Sequence, residues 1–114
     1  MGQPPDPLPL LKGTLDVLVL KALAWAPMHG FEIAAWLEAR SHGSLGVDDG
    51  ALYYALHRLE EREFVTSEWR LTDNNRRARY YRLRPQGRAH LRAEGANMER
   101  YARALTAILS APSS

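Results

Sequence analysis

From Leu11 to Trp25 the apolar side chains fall at Leu15, Leu18, Val19, Ala22 and Leu23. That i, i+3, i+4, i+7, i+8 order predicts a helix with one stripe facing a core. Pro27 stops it, and after Met28-His29-Gly30 a second helical pattern runs through Phe31, Ile33, Ala34, Trp36 and Leu37 to a stop near Ser41-His42-Gly43. Ser44-Leu45-Gly46-Val47 is a connector. Asp48 is a good N-cap for a third helix carrying Leu52, Ala55, Leu56 and Leu59 and ending near Arg62. The period then changes. Phe64 to Trp69 and Arg79 to Leu83 are short and rich in aromatic and β-branched residues, and Thr72-Asp73-Asn74-Asn75-Arg76-Arg77-Ala78 lies between them. Strand, polar turn and strand predict a β-hairpin with arginine at its tip. Pro85 ends the second strand, and Gln86 to Leu109 reads as a long helix before a short tail.

In that last helix Leu91, Met98 and Leu105 are spaced by seven, as are Glu94, Tyr101 and Ile108, which makes a and d positions of about three heptads. Glu94 and Gly95 weaken the seam. A terminal helix with an apolar seam and no later element to cover it is satisfied most simply by a second copy, giving a two-fold homodimer. The alternative is that the seam folds back onto the first helix of its own chain.

Composition narrows the class. At 114 residues, 46% hydrophobic and 25% charged, the chain has the make-up of one globular domain. The first nine residues hold four prolines and one charge, so residues 1–9 are expected to be a flexible segment. No stretch approaches the roughly 20 apolar residues of a membrane span, and the N-terminus does not read as a signal peptide, which points to a cytoplasmic protein without membrane contact. With no cysteine, thiol catalysis and thiolate metal sites are out.

The net charge of +2 conceals a polarity: residues 1–61 carry four basic and eight acidic side chains, residues 62–114 eleven basic and five acidic ones. Between Arg70 and Arg92 eight arginines face a single acid, Asp73. Such a cluster is the footprint of a phosphate-backbone partner, although a merely solvated charged face would look alike.

Three helices followed by an arginine-tipped hairpin is the order of a winged helix-turn-helix, in which the third helix enters the major groove and the hairpin touches flanking backbone or minor groove. The expected fold is therefore mainly α (α+β), with residues 10–85 as the winged-helix unit, 86–110 as a long dimerisation helix and 111–114 as a tail. The motifs go further. Gly13-Thr14-Leu15-Asp16, Leu20-Lys21-Ala22-Leu23, Met28-His29-Gly30-Phe31-Glu32-Ile33, Gly50-Ala51-Leu52-Tyr53-Tyr54-Ala55-Leu56-His57-Arg58-Leu59-Glu60, Asn74-Asn75-Arg76-Arg77-Ala78-Arg79-Tyr80-Tyr81-Arg82-Leu83 and Pro85-Gln86-Gly87 stand in one order. Over roughly residues 10 to 92 this resembles the PadR family of transcriptional regulators, in its short subgroup with a single C-terminal helix. The resemblance implies a dimeric, usually repressing, DNA-binding protein. Two positions depart from the family pattern: Tyr54 stands where proline is common, and Glu63 where a glycine commonly closes the helix.

With Leu52, Leu56 and Leu59 facing inward, the third helix offers Gly50, Ala51, Tyr54, His57, Arg58 and Glu61 outward. Gly50 and Ala51 would let the helix N-terminus approach DNA, or simply tolerate small residues there. Tyr53 and Tyr54 can meet phosphate or a thymine methyl, unless either is half core. Arg58 suits guanine or phosphate, unless Glu61 holds it in a surface ion pair. Asn75, Arg76, Arg77 and Arg79 should supply wing contacts. Lys12, Thr14 and His29 are further phosphate candidates, carried by the resemblance and by their places at helix starts.

Other functional classes find less support in the sequence. The four histidines form no recognisable catalytic constellation, and no metal site or cofactor is expected. A ligand-responsive sensor, releasing DNA when an aromatic small molecule enters the dimer interface, would draw on Leu91, Met98, Tyr101, Leu105 and Ile108; those side chains can equally be plain dimer core. A winged helix used only for protein contact has no need of eight clustered arginines.

Overall fold

The computed structural model of the protein describes residues 6–11 and 13–114. The elements run β1 (Leu8–Pro9), α1 (Thr14–Trp25), β2 (Met28–His29), α2 (Gly30–Arg40), β3 (Leu45–Gly46), α3 (Asp49–Glu61), β4 (Val65–Leu71), β5 (Arg77–Leu83) and α4 (Pro85–Leu109). Three helices, a hairpin and a long last helix form the winged helix-turn-helix that the periodicity predicts.

α1 sits at the centre. Leu15, Val17, Val19, Leu20, Ala22 and Leu23 are all buried, more than one stripe can account for, because α2, α3, β5 and α4 pack around it. The single face read from the sequence missed Val17 and Leu20 for that reason: a helix covered on several sides is apolar nearly all round. Ile33 and Leu37 of α2, Leu52, Ala55, Leu56 and Leu59 of α3, and Val65 and Tyr81 of the hairpin complete the core. Burial pushes the Tyr81 phenol above its ordinary value, against the opposing pull of Arg79.

The hairpin strands are longer than predicted, with Val65 opposite Leu83 at the base and Leu71 opposite Arg77 at the tip. A third strand was not predicted at all: Met28 and His29 pair antiparallel with Tyr81 and Tyr80. Two residues are too few to show a period. Leu8 and Pro9, placed by the sequence reading in the flexible segment 1–9, pair parallel with Leu45 and Gly46, and the Leu8 amide donates to the Ser44 carbonyl at 2.7 Å.

Two joints fix the hairpin. At the end of α3 the Phe64 amide donates to the Leu59 carbonyl (2.9 Å) and the Glu63 amide to the Glu60 carbonyl (3.0 Å), the paired bonds of a Schellman motif. Glu63 therefore holds a left-handed backbone with φ of 61°, the conformation for which glycine is usually chosen. At the start of α4 a Cβ on Gly87 would lie 2.1 Å from the Phe64 carbonyl oxygen, so no side chain fits there.

α4 divides in two. Gly87 is buried and Leu91 packs against the core, whereas Tyr101, Leu105, Ile108 and Leu109 are exposed. Folding back onto α1 thus holds for the first turns only, and the seam from Tyr101 onward is bare in the single chain.

Candidate nucleic-acid interface

Asp48 caps α3, its carboxylate accepting from the Ala51 amide at 2.9 Å. One amide of the N-terminus that Gly50 and Ala51 would bring towards DNA is therefore already engaged, and Asp49 adds a second acid in the first turn. Gly50 and Ala51 are exposed, so the helix start stays bare of bulk, but its electrostatics are acidic. Tyr53 and Tyr54 are 57% and 63% exposed, which leaves neither as core. The Tyr53 ring lies 5.5 Å from Tyr54 and 4.4 Å from His57, centre to centre, making an aromatic ledge along the outer face.

Arg58 is the only lysine or arginine in α3, and its partner is not Glu61. It reaches across to α1, donating from Nη2 to Asp16 Oδ1 at 2.7 Å and from Nε to Asp16 Oδ2 at 3.2 Å. That hydrogen bond holds the guanidinium above its ordinary pKa. A groove of about 670 Å³ opens here, walled by Leu10, Leu11 and Leu15 on one side and by Ala51, Tyr54 and Arg58 on the other. Asp16 was absent from the sequence-based candidates. The sequence marks it only as the one acid of α1, with nothing local to tie it to Arg58.

The wing is built differently. In its turn the Asn75 amide donates to the Thr72 carbonyl (2.9 Å), and the Thr72 amide to the Arg76 carbonyl (2.7 Å). Asn75 holds φ at 60°, a left-handed position asparagine tolerates, so its first task is to shape the tip that presents Arg76. Among the described residues Arg76, Arg77 and Arg82 have no carboxylate partner, whereas Arg79 lies 3.5 Å from Glu60 and Arg70 lies 3.8 Å from Glu68. Arg79 Nε also donates to Ser67 Oγ (2.8 Å), which in turn donates to Glu60 Oε2 (2.5 Å). This chain ties the last turn of α3 to both strands. Trp69, on the same hairpin face, was also missed; Arg77 and Arg79 stand over its ring at 5.0 and 5.8 Å. It continues the i, i+2 series Val65, Ser67, Trp69, Leu71 beyond the edge of the core.

The remaining candidates scatter. His29 is the N-cap of α2, its Nδ1 accepting from the Glu32 amide at 3.3 Å while Glu32 Oε1 accepts from the His29 amide at 3.1 Å, and its ring meets Tyr80 edge-on at 5.2 Å. These contacts hold the imidazole in the fold, where sequence reasoning had offered it to phosphate. Thr14 is half-buried at the first position of α1, and Lys12 lies outside the described residues. Leu91 faces the core, Met98 is half-buried, and Tyr101, Leu105 and Ile108 are exposed. At 1.5 Å per residue Leu91 and Tyr101 stand roughly 15 Å apart along the helix, so a site using both needs a wall that one chain does not provide.

Residues 19–93 match the Transcriptional regulator PadR-like family. Transcriptional regulator Rv3488 of Mycobacterium tuberculosis is 44% identical over 71 residues, 60% of this chain and 64% of that protein. A PadR family transcriptional regulator from Eggerthella lenta is 28% identical, with a TM-score of 0.70 over 89% of this chain and 86% of that one. For smu.1704 of Streptococcus mutans the TM-score is 0.78 at 19% identity, over 94% and 96% of the two chains, a likeness of fold. No helix among the described residues is long and apolar enough to cross a membrane.

Proposed function

Since the chain belongs to the PadR-like family of transcriptional regulators, we propose that it acts as a homodimeric repressor on a near-palindromic operator, α3 entering the major groove and the hairpin gripping the flanking backbone. The observation that carries the dimer is the bare seam of α4. Tyr101, Ile108 and Leu109 are 64%, 72% and 83% exposed, and three large apolar side chains on one terminal helix call for a partner. A second α4 supplies the matching heptad face, and a two-fold pair would present two copies of α3 to two half-sites. The hairpin supports the grip, because Arg76 and Arg77 at and beside its tip have no carboxylate partner among the described residues.

The test is selection of duplexes from a randomised pool at about 150 mM salt, where weak non-specific binding is largely screened, with the protein sized alongside. The expected result is a dimer that enriches an inverted repeat whose half-sites are about one helical turn apart. A dimer that enriches nothing would overturn operator binding by the unliganded protein. A monomer that enriches a single half-site would overturn the pairing of α4.

A further inference from the structure

Resting on the reading of α3 as the major-groove helix, we infer that Asp16 of α1 is a positioning residue for base recognition, holding Arg58 as a fixed donor that reads one base pair in each half-site. The pair spans 42 positions of sequence and joins two elements of the core. Its two contacts, 2.7 and 3.2 Å, are the parallel bonds of a fork-to-fork pair, which sets the plane of the guanidinium as well as its place. Asp16 lies on the inner side, its side chain 20% exposed, and Arg58 on the outer side, 53% exposed. Nε and one hydrogen of Nη2 are spent on the carboxylate. The remaining Nη2 hydrogen and both on Nη1 are left over, and these form the outer edge that can donate to guanine O6 and N7.

An arginine on a free stem samples many rotamers and finds phosphate as readily as a base edge. Arg58 does not have that freedom, because its charge is matched by Asp16 and its plane is set before any DNA arrives. A neutralised, oriented guanidinium is a poor phosphate counter-ion and a good base reader. The rest of the outer face agrees: Tyr54 and His57 carry no fixed charge, and Asp49 and Glu61 are acidic, so attraction to the backbone is not the business of this helix.

Wild type, Asp16→Asn and Arg58→Lys are compared by selection on randomised duplexes, and by the salt dependence of binding to an unrelated duplex. Asn keeps the shape of Asp16 and removes its charge, while Lys keeps the charge of Arg58 and removes the fork. Both variants should lose about tenfold discrimination at one base pair per half-site, the other positions being read as before. Asp16→Asn alone should also bind unrelated DNA more tightly, with a log–log salt slope steeper by about one per subunit, since the released guanidinium now meets phosphate. Base preferences and salt slopes unchanged in both variants would overturn the inference and leave a structural ion pair. Should Asp16→Asn fail to fold by circular dichroism, Arg58→Lys decides by the base preference alone. Absence of any preferred site in wild type would instead count against the reading of α3 on which the inference rests.

Discussion

The third helix and the wing, the two elements proposed to meet DNA, carry opposite electrostatics. α3 has acids at its N-terminus, its capping amide engaged by Asp48, and its one arginine matched to Asp16. The hairpin has arginines at its tip, two of them adjacent and without a carboxylate partner among the described residues. Long-range attraction to a polyanion grows with uncompensated charge, whereas discrimination between bases needs groups fixed in place. In this molecule the two requirements fall on separate elements. On the proposed reading the wing would supply attraction that ignores sequence, and α3, relieved of that task, would carry a face of aromatic rings and one oriented guanidinium.

The division depends on a rigid base for the wing, and Gly87 is where it breaks most completely. With the Phe64 carbonyl 2.1 Å from the place of a Cβ, Gly87→Ala must push α4 away from the root of β4. A buried clash of this kind, between a side-chain carbon and backbone that cannot easily give way, costs about 3 kcal/mol or more. For a domain of this size that lowers Tm by roughly 12 °C or more, read by thermal unfolding. The same measurement on Gln86→Ala, one residue earlier and exposed, should show almost no change.

Next in size is the removal of attraction alone. Replacing Arg76 and Arg77 together by alanine should weaken binding to every duplex, operator or not, by about ten- to a hundredfold at low salt. It should flatten the log–log salt slope of a dimer by about 3.6, since four phosphate contacts vanish. The base preferences found by selection should stay the same. A changed preference with an unchanged slope would reverse the roles assigned to wing and helix.

What the sequence could announce follows the same line. Elements that repeat a period over several turns were legible: α1, α2, α3, the hairpin and α4 all stand where the pattern of apolar positions put them, and Asp48 caps α3 as its place before Leu52 suggested. Features made by contacts between distant segments were not. β2 is a strand only because Tyr80 and Tyr81 come to lie beside Met28 and His29. Arg58 had a plausible partner three residues away in Glu61, and nothing local reveals that α1 brings Asp16 nearer. His29 stands at the helix start where the sequence placed it, but its ring is taken up by the capping bond with Glu32 and by the edge of Tyr80, the second of which comes from a strand about fifty residues away.

The joint between the two regions gives a smaller effect of opposite sign. Glu63 sits with φ at 61° and its carboxylate reaches Arg84 only at 4.0 Å, an exposed contact worth little. Glu63→Gly should relieve the left-handed strain and stabilise the fold by about 1 kcal/mol, raising the denaturation midpoint with DNA preference unchanged. The departure from glycine noted in the sequence thus costs stability without altering the turn, since both Schellman bonds are made.

Trp69 separates the number of charges on the wing from their placement. Its ring lies under Arg77 and Arg79 and is 55% exposed, so the stacking is worth about 0.5–1 kcal/mol in all. Trp69→Ala leaves every arginine in place and removes the surface on which two of them rest. If the wing works by charge alone, affinity for unrelated DNA should hold. If it works by charge held in position, affinity should fall by about threefold, the size of that stacking energy, while the salt slope remains at the wild-type value because the count of cations is the same. The second result is expected, since Arg77 projects from a strand whose neighbour at the tip, Leu71, is itself 62% exposed and offers no other wall. A drop in slope would mean that Arg77 needs the indole to reach phosphate at all, moving part of the attraction from the arginines to the strand that carries them.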